Sequence, residues 1–215
     1  MCWMKIRILS SALFISTILN ITYCWGQRDL VHIERRHCNY ANKYSGEKLF
    51  ILFDTDTGTL KSALDYWLDP FINMADSNKL KIVSKLLTFE NDTSLCCMDA
   101  TSRSFNGIEG CRGKPKNVNR FNIQIDALFM INRLCWPKTM EFYSCTPVLY
   151  DQKKKIVINS NPKKISLVFK DYIQWYQKCL KEGKVSKYFP FNEGRYVWYG
   201  GRKNNLAALT EKPHD

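Results

Sequence analysis

Val148–Ile158 (VLYDQKKKIVI), followed almost at once by Asn161–Gly183 (NPKKISLVFKDYIQWYQKCLKEG), decides the fold class of this 215-residue chain. Val148–Tyr150 and Lys155–Ile158 are short apolar-rich runs joined by Asp151–Lys154, the pattern of a β-hairpin with a basic tip. Asn161 then offers an N-cap oxygen, Pro162 suits the first helical position, and Gly183 supplies a stop. Between them Ile165, Val168, Phe169, Tyr172, Ile173, Tyr176 and Cys179 recur on one helical face. The stripe is aromatic, and its ordinary meaning is core packing. A hairpin feeding a long amphipathic helix predicts an α+β fold, a small antiparallel sheet packed by helices.

Upstream, Phe121, Ile123, Ile125, Ala127 and Phe129 alternate with Asn122, Gln124 and Asp126, which predicts a half-buried strand. Leu80, Val83, Leu86 and Leu87 predict a short helix over Asn78–Leu87. A further helix is predicted from Leu60 through Ala63, Leu64, Trp67 and Leu68 to Phe71, closing near Pro70. Lys48–Phe53 (KLFILF) reads as a buried strand running into a turn at Asp54-Thr55-Asp56-Thr57-Gly58. Gln27–Gly46 reads as an irregular arm, and Glu90–Pro115 as polar, with turns at Gly107, Gly110 and Gly113. Downstream, Tyr188–Gly201 has room for a final strand, and Asn204–Asp215 is expected to fray. The chain thus divides into residues 1–26, an N-terminal strand-helix region at 27–90, a cysteine-containing region at 91–189, and an aromatic tail at 190–215.

The first 26 residues read as a secretory signal. Lys5 and Arg7 precede an apolar stretch from Ile8 to about Tyr23, and Cys24 and Gly26 suit signal peptidase, leaving Gln27 first. No later apolar run is long enough to cross a bilayer. The expected location is therefore secreted, or at a cell surface or virion envelope through a partner. Removing Lys5 and Arg7 takes the net charge from +12 to +10. Such an excess favours anionic partners, sulfated glycosaminoglycan or an acidic protein face, and export argues against nucleic acid. About 189 residues remain, enough for one domain, or two small ones, with a proper core.

Export also sets the reading of the cysteines. Cys38, Cys96, Cys97, Cys111, Cys135, Cys145 and Cys179 remain, and in an oxidising compartment they are disulfide candidates. Seven is odd, so one is left over as a buried or reactive thiol or as an intermolecular disulfide. Adjacent Cys96 and Cys97 fit poorly to each other. No CxxC pair exists, so neither a metal nor another cofactor is expected. Asn91-Asp92-Thr93 is a glycosylation sequon just ahead of the cysteine pair.

Three places could carry chemistry. Asp54 and Asp56, ending an apolar strand, resemble the paired aspartates of haloacid dehalogenase-type phosphatases. Thr57 is inserted before Gly58, however, and no downstream acidic pair completes a magnesium site. Asp56-Thr57-Gly58 also resembles the aspartic protease tripeptide, but it occurs once. A secreted hydrolase at this turn is the alternative; the better reading is a solvated turn with capping oxygens and no catalytic residue. A ribonuclease would need two positioned imidazoles, whereas His32 and His37 lie in the arm and His214 near the end. The lysines say more: Lys153, Lys154 and Lys155 at the hairpin and Lys163 and Lys164 at the helix start form a candidate polyanion-binding set, extended by Lys178, Lys181, Lys184 and Lys187.

Cys96-Cys97 followed by Met98-Asp99-Ala100-Thr101-Ser102-Arg103 resembles the opening of CC chemokines. Cys145-Thr146-Pro147-Val148-Leu149-Tyr150 is similar to their third cysteine and following strand. Lys153–Ile158 resembles the basic turn and strand after it, and Asn159-Ser160-Asn161-Pro162 the approach to their C-terminal helix. Asn159 stands where the fourth cysteine would be, and the gap from Cys97 to Cys145 is about twice the family's. An extra N-terminal half and these departures resemble the chemokine-like subunits that betaherpesviruses add to their envelope gH/gL complex. Glu47–Phe53, the turn at Gly58, the Trp67 segment, Asn119-Arg120-Phe121 and Cys135-Trp136-Pro137 carry that likeness. The resemblance implies a chemokine-like region at 91–189 and a non-enzymatic glycoprotein. Its implied work is to bind a viral envelope glycoprotein and a host receptor, bringing the virus into host cells. A free chemokine-like ligand or an immune-evasion decoy is the alternative.

Overall fold

The computed structural model describes residues 31–40, 43–53, 61–62, 73–100, 117–137, 146–191 and 195–201. The signal at 1–26, the Asp54–Gly58 turn, residues 63–72, Cys111, Cys145 and the 204–215 tail lie outside those residues. Eight strands and three helices occur among the described residues. They run as β1 (Val31–Tyr40), β2 (Tyr44–Phe53), β3 (Lys61–Ser62), α1 (Asp76–Leu87), β4 (Leu95–Asp99), β5 (Arg120–Asn122), α2 (Ile123–Cys135), β6 (Leu149–Asp151), β7 (Ile156–Val157), α3 (Pro162–Glu182) and β8 (Tyr196–Trp198). None of these helices is long and apolar enough to cross a membrane.

The fold is α+β, with two small sheets in place of the one expected. The first has the order β1-β2-β4-β5, with β3 also on β2; the second has the order β7-β6-β8. The second is antiparallel throughout, but the first is mixed, because β2 and β4 run parallel where Glu47 faces Cys96. Leu49 and Ile51 of β2, Val83 and Leu86 of α1, nearly all of α2, and the inner face of α3 join one apolar core, with the β8 Trp198. The two sheets are therefore tied through the helices between them.

The hairpin and helix that fix the fold class form as the sequence predicts. The β6 and β7 strands pair through Tyr150–Val157 and Asp151–Ile156. Asn161 caps α3, its side-chain oxygen accepting from the Lys164 N–H at 3.1 Å. Gly183 ends the helix at φ 66°, a left-handed conformation that glycine adopts without a Cβ penalty. The Tyr188–Gly201 segment supplies β8, and α1 spans the predicted Asn78–Leu87 helix with two residues added in front.

Three expectations need correction. Gln27–Gly46 is no irregular arm: Val31–Tyr40 is a ten-residue strand in continuous antiparallel register with β2, from Val31 opposite Phe53 to Tyr40 opposite Tyr44. Its charged run, Glu34-Arg35-Arg36, masked the apolar alternation of a strand that lies at a sheet edge. The helix read from Leu60 does not begin there, because Lys61 and Ser62 pair with Phe53 and Leu52. The alternating stretch after Arg120 is a strand for three residues only. Asn122 then caps α2, its oxygen accepting from the Ile125 N–H at 3.3 Å. Twelve of the 13 residues of α2 are buried, so a core surrounding the helix on every side erased its 3.6-residue period. Two of its buried polar side chains are tied to other elements: Gln124 accepts from the Asn91 N–H at 3.2 Å and Asp126 from the Leu49 N–H at 3.4 Å.

Candidate functional site

Cys38 on β1 and Cys97 on β4 form a disulfide across β2, with their Cα atoms 5.9 Å apart. Strands flanking a third are ordinarily about 10 Å apart, so the sheet is pinched at this point. Gly46, opposite Cys38 in the β-ladder, makes the pinch feasible. A Cβ there would collide with the Leu95 carbonyl oxygen and lie 2.9 Å from the Cys97 nitrogen. Arg120 fastens the same junction, donating to the Ser45 carbonyl at 2.6 Å and the Cys96 carbonyl at 3.1 Å. Its guanidinium also lies over the Tyr44 ring. Arg35 adds an exposed network to Asp92 at 2.8 Å, Ser94 at 2.9 Å and Glu47 at 3.4 Å.

Of the other cysteines, Cys135 at the end of α2 and Cys179 on α3 are buried thiols. Burial pushes both pKa values upward, and each receives a further push from neighbouring negative charge. Thiols in that state are poor nucleophiles. Cys96 is buried beside the bridged Cys97. Asn91 is exposed just after α1, with φ 69°, a left-handed turn position that asparagine tolerates. The exposed side chain leaves the sequon on an accessible surface.

The basic tip is built from a buried acid. Asp151, at the end of β6, is fully shielded, and the Lys164 ammonium donates to it at 2.9 Å. Its other oxygen accepts from the Lys154 N–H at 3.0 Å, which shapes the turn. The Lys164 hydrogen bond, followed by the Lys154 N–H, holds the Asp151 carboxyl below the usual aspartate range. Lys164 is 13% exposed in its side chain and serves as a brace. It pins the start of α3 to the base of the turn, which brings the two lysine groups together. Lys153, Lys154, Lys155 and Lys163 are exposed. Lys155 takes φ 53°, and the Arg195 carbonyl accepts from the Gln152 N–H at 2.9 Å, seating the tip against the chain leading into β8.

Asn159 does structural work that the sequence alone did not disclose. Its side-chain oxygen accepts from the Leu149 N–H at 2.7 Å, and its amide donates to the Pro147 carbonyl at 3.0 Å. Two hydrogen bonds thus tie the end of the hairpin to the chain entering it. Beneath lies a buried chain: Trp198 Nε1–H donates to the Tyr172 hydroxyl at 2.9 Å, which donates to Asn132 at 2.7 Å. It links β8, α3 and α2, and burial raises the Tyr172 pKa well above its ordinary value.

Among the described residues no group of histidine, cysteine and acidic side chains is placed to hold a metal ion. Asp54 and Asp56 lie outside them, and so does Cys145. The geometry defines an α+β, disulfide-linked chain presenting a braced cationic turn. Comparison with known protein families, with curated proteins and with solved structures finds no match.

Proposed function

We propose that this chain is an exported, non-enzymatic, chemokine-like glycoprotein that acts by protein–protein contact at a cell or virion surface. Within that reading it is an accessory subunit of a viral envelope complex that binds a host receptor. The observation that carries the proposal is the cationic tip: Lys153, Lys154, Lys155 and Lys163 held outward on a turn braced by the buried Lys164–Asp151 pair. Preformed charge of this kind recruits anionic surfaces, either sulfated glycosaminoglycan or an acidic protein face. Further support comes from Asn159, standing where the resemblance would put a fourth cysteine. Its two hydrogen bonds close that hairpin on the chain entering it, without a crosslink at this position. The signal at residues 1–26, the Asn91 sequon and the odd cysteine count fit export, glycosylation and an intersubunit disulfide. Co-expression with a gH/gL-type envelope complex, followed by non-reducing electrophoresis, tests the subunit reading. A stable or disulfide-linked complex is expected; recovery of the chain solely as a free monomer would leave the soluble-ligand alternative in its place.

A further inference from the structure

A groove of about 510 Å³ runs between the outer face of α3 and the segment leading into β8, away from the pinched sheet. Leu167, Pro190 and Phe191 supply apolar wall, and Leu167 is 45% exposed in this structure. Lys170, Lys178 and Arg195 also line it, against one acid, Asp171. Lys178 reaches Glu182 only at 4.0 Å and lies over the Tyr188 ring, while Arg195 lies over Tyr196. Two further lining residues are out of the ordinary. Trp175 is 6% exposed and Tyr196 5%, yet Trp175 Nε1 and the Tyr196 hydroxyl have no hydrogen-bond partner. Buried polar groups are almost always paired, and leaving one unpaired costs stability. An indole N–H can only donate, so what it lacks is an acceptor.

We infer that this groove is a binding site for an acidic peptide segment of a partner protein, one that carries an apolar side chain between its carboxylates. The apolar side chain packs on Leu167 and Phe191, and the carboxylates meet Lys170, Lys178 and Arg195. Carbonyl or carboxylate oxygens satisfy the Trp175 N–H and Tyr196 hydroxyl, which are shielded in the free chain and open as the groove wall moves aside on binding. A 510 Å³ groove is within the size range of peptide and small-molecule sites. A sulfated sugar would meet the cations but would leave the apolar wall uncovered. The inference rests on the reading of the chain as a protein-binding module and names the chemistry of one segment it recognises.

The test uses the mature secreted chain and a fluorescein-labelled peptide, Asp-Glu-Leu-Asp-Tyr-Glu-Asp, followed by anisotropy. In parallel, the Trp175 indole N–H is followed by NMR, its signal assigned by its loss in Trp175→Phe. Saturable binding that shifts this resonance is expected. Tyr196→Phe should weaken binding roughly tenfold while leaving the thermal midpoint unchanged or higher, because the hydroxyl has no partner to lose. Lys170→Glu with Lys178→Glu should weaken it further, and Lys153→Ala with Lys154→Ala and Lys155→Ala should leave it unchanged. Absence of a Trp175 shift, binding unaffected by Tyr196→Phe, or a heparin hexasaccharide that outcompetes the peptide in the groove would each overturn the inference. None of these readouts depends on the viral complex, so its failure and that of the proposed function are separable.

Discussion

The two sheets of this molecule reach stability by different means. The first joins β1 and β4, the strands on either side of β2, by a disulfide over Gly46 and reinforces the joint with Arg120 and an exposed ionic network around Arg35. The second relies on packing and capping: Trp198, Tyr172 and Phe189 are buried in an aromatic cluster, and Asn161, Asn159 and Asp151 close the local backbone. The difference follows from what each has to bury. β1 exposes Arg35, Arg36 and His37 and adds only the partly buried Val31 and Ile33 to the core, so a covalent tie supplements its packing. The second sheet lies on the apolar stripe of α3 and leaves its lysine tip outside that stripe, available for contact.

That contrast can be broken from either side. The largest effect should come from Cys38→Ser combined with Cys97→Ser. With 59 residues of separation, loss of the crosslink should cost about 4 kcal/mol by the chain-entropy relation. Urea unfolding should show this, with amide exchange rising first in β1. Gly46→Ala attacks the same joint without touching a sulfur, and should raise the fraction of molecules with unbridged Cys38 in thiol counting. On the packed side, Tyr172→Phe strands the Trp198 indole N–H and the Asn132 oxygen, and should cost about 1–3 kcal/mol in the same assay. Exchange protection should then fall at β8 and α3, sparing β1.

Acid sharpens the comparison further. The Asp151 carboxyl is held below its ordinary range by Lys164 and the Lys154 N–H. Its contribution is therefore complete above the ordinary aspartate range and drains away as pH falls through the lowered folded value. Acid titration of the wild type should loosen the β6–β7 hairpin against α3. Asp151→Asn should be less stable at neutral pH and lose that acid dependence, read from unfolding midpoints across the range. The smallest effect on stability is expected for Lys153→Ala with Lys154→Ala and Lys155→Ala, within about 0.5 kcal/mol of wild type. The same change should lower the salt concentration that elutes the protein from heparin; unchanged elution would dismiss the tip as a polyanion contact.

Legibility in the sequence followed the same division. The hairpin, α3 and its caps were readable, because Asn161, Pro162 and Gly183 are local signals and the apolar stripe of α3 faces water on its other side. The α2 helix was not, because burial on all sides left its polar residues Gln124 and Asp126 spaced like those of a strand. The β1 strand was hidden by its charged run Glu34-Arg35-Arg36, and the Cys38–Cys97 pairing by the number of ways seven cysteines can combine. At the candidate site the lysine cluster was visible as charge. The division of labour within it was not: Lys164 looks like its neighbours until Asp151 is found buried beneath it.

The Cys38–Cys97 crosslink of the first sheet is the feature on which both the fold and the export of the chain turn. The direct measurement is mass spectrometry of unreduced peptides from the secreted, folded protein, with thiols blocked before digestion. A peptide containing Cys38 joined to one containing Cys97, with Cys135 and Cys179 modified only after denaturation, is the predicted result. Recovery of Cys38 and Cys97 as separately blocked thiols from the native protein would contradict it.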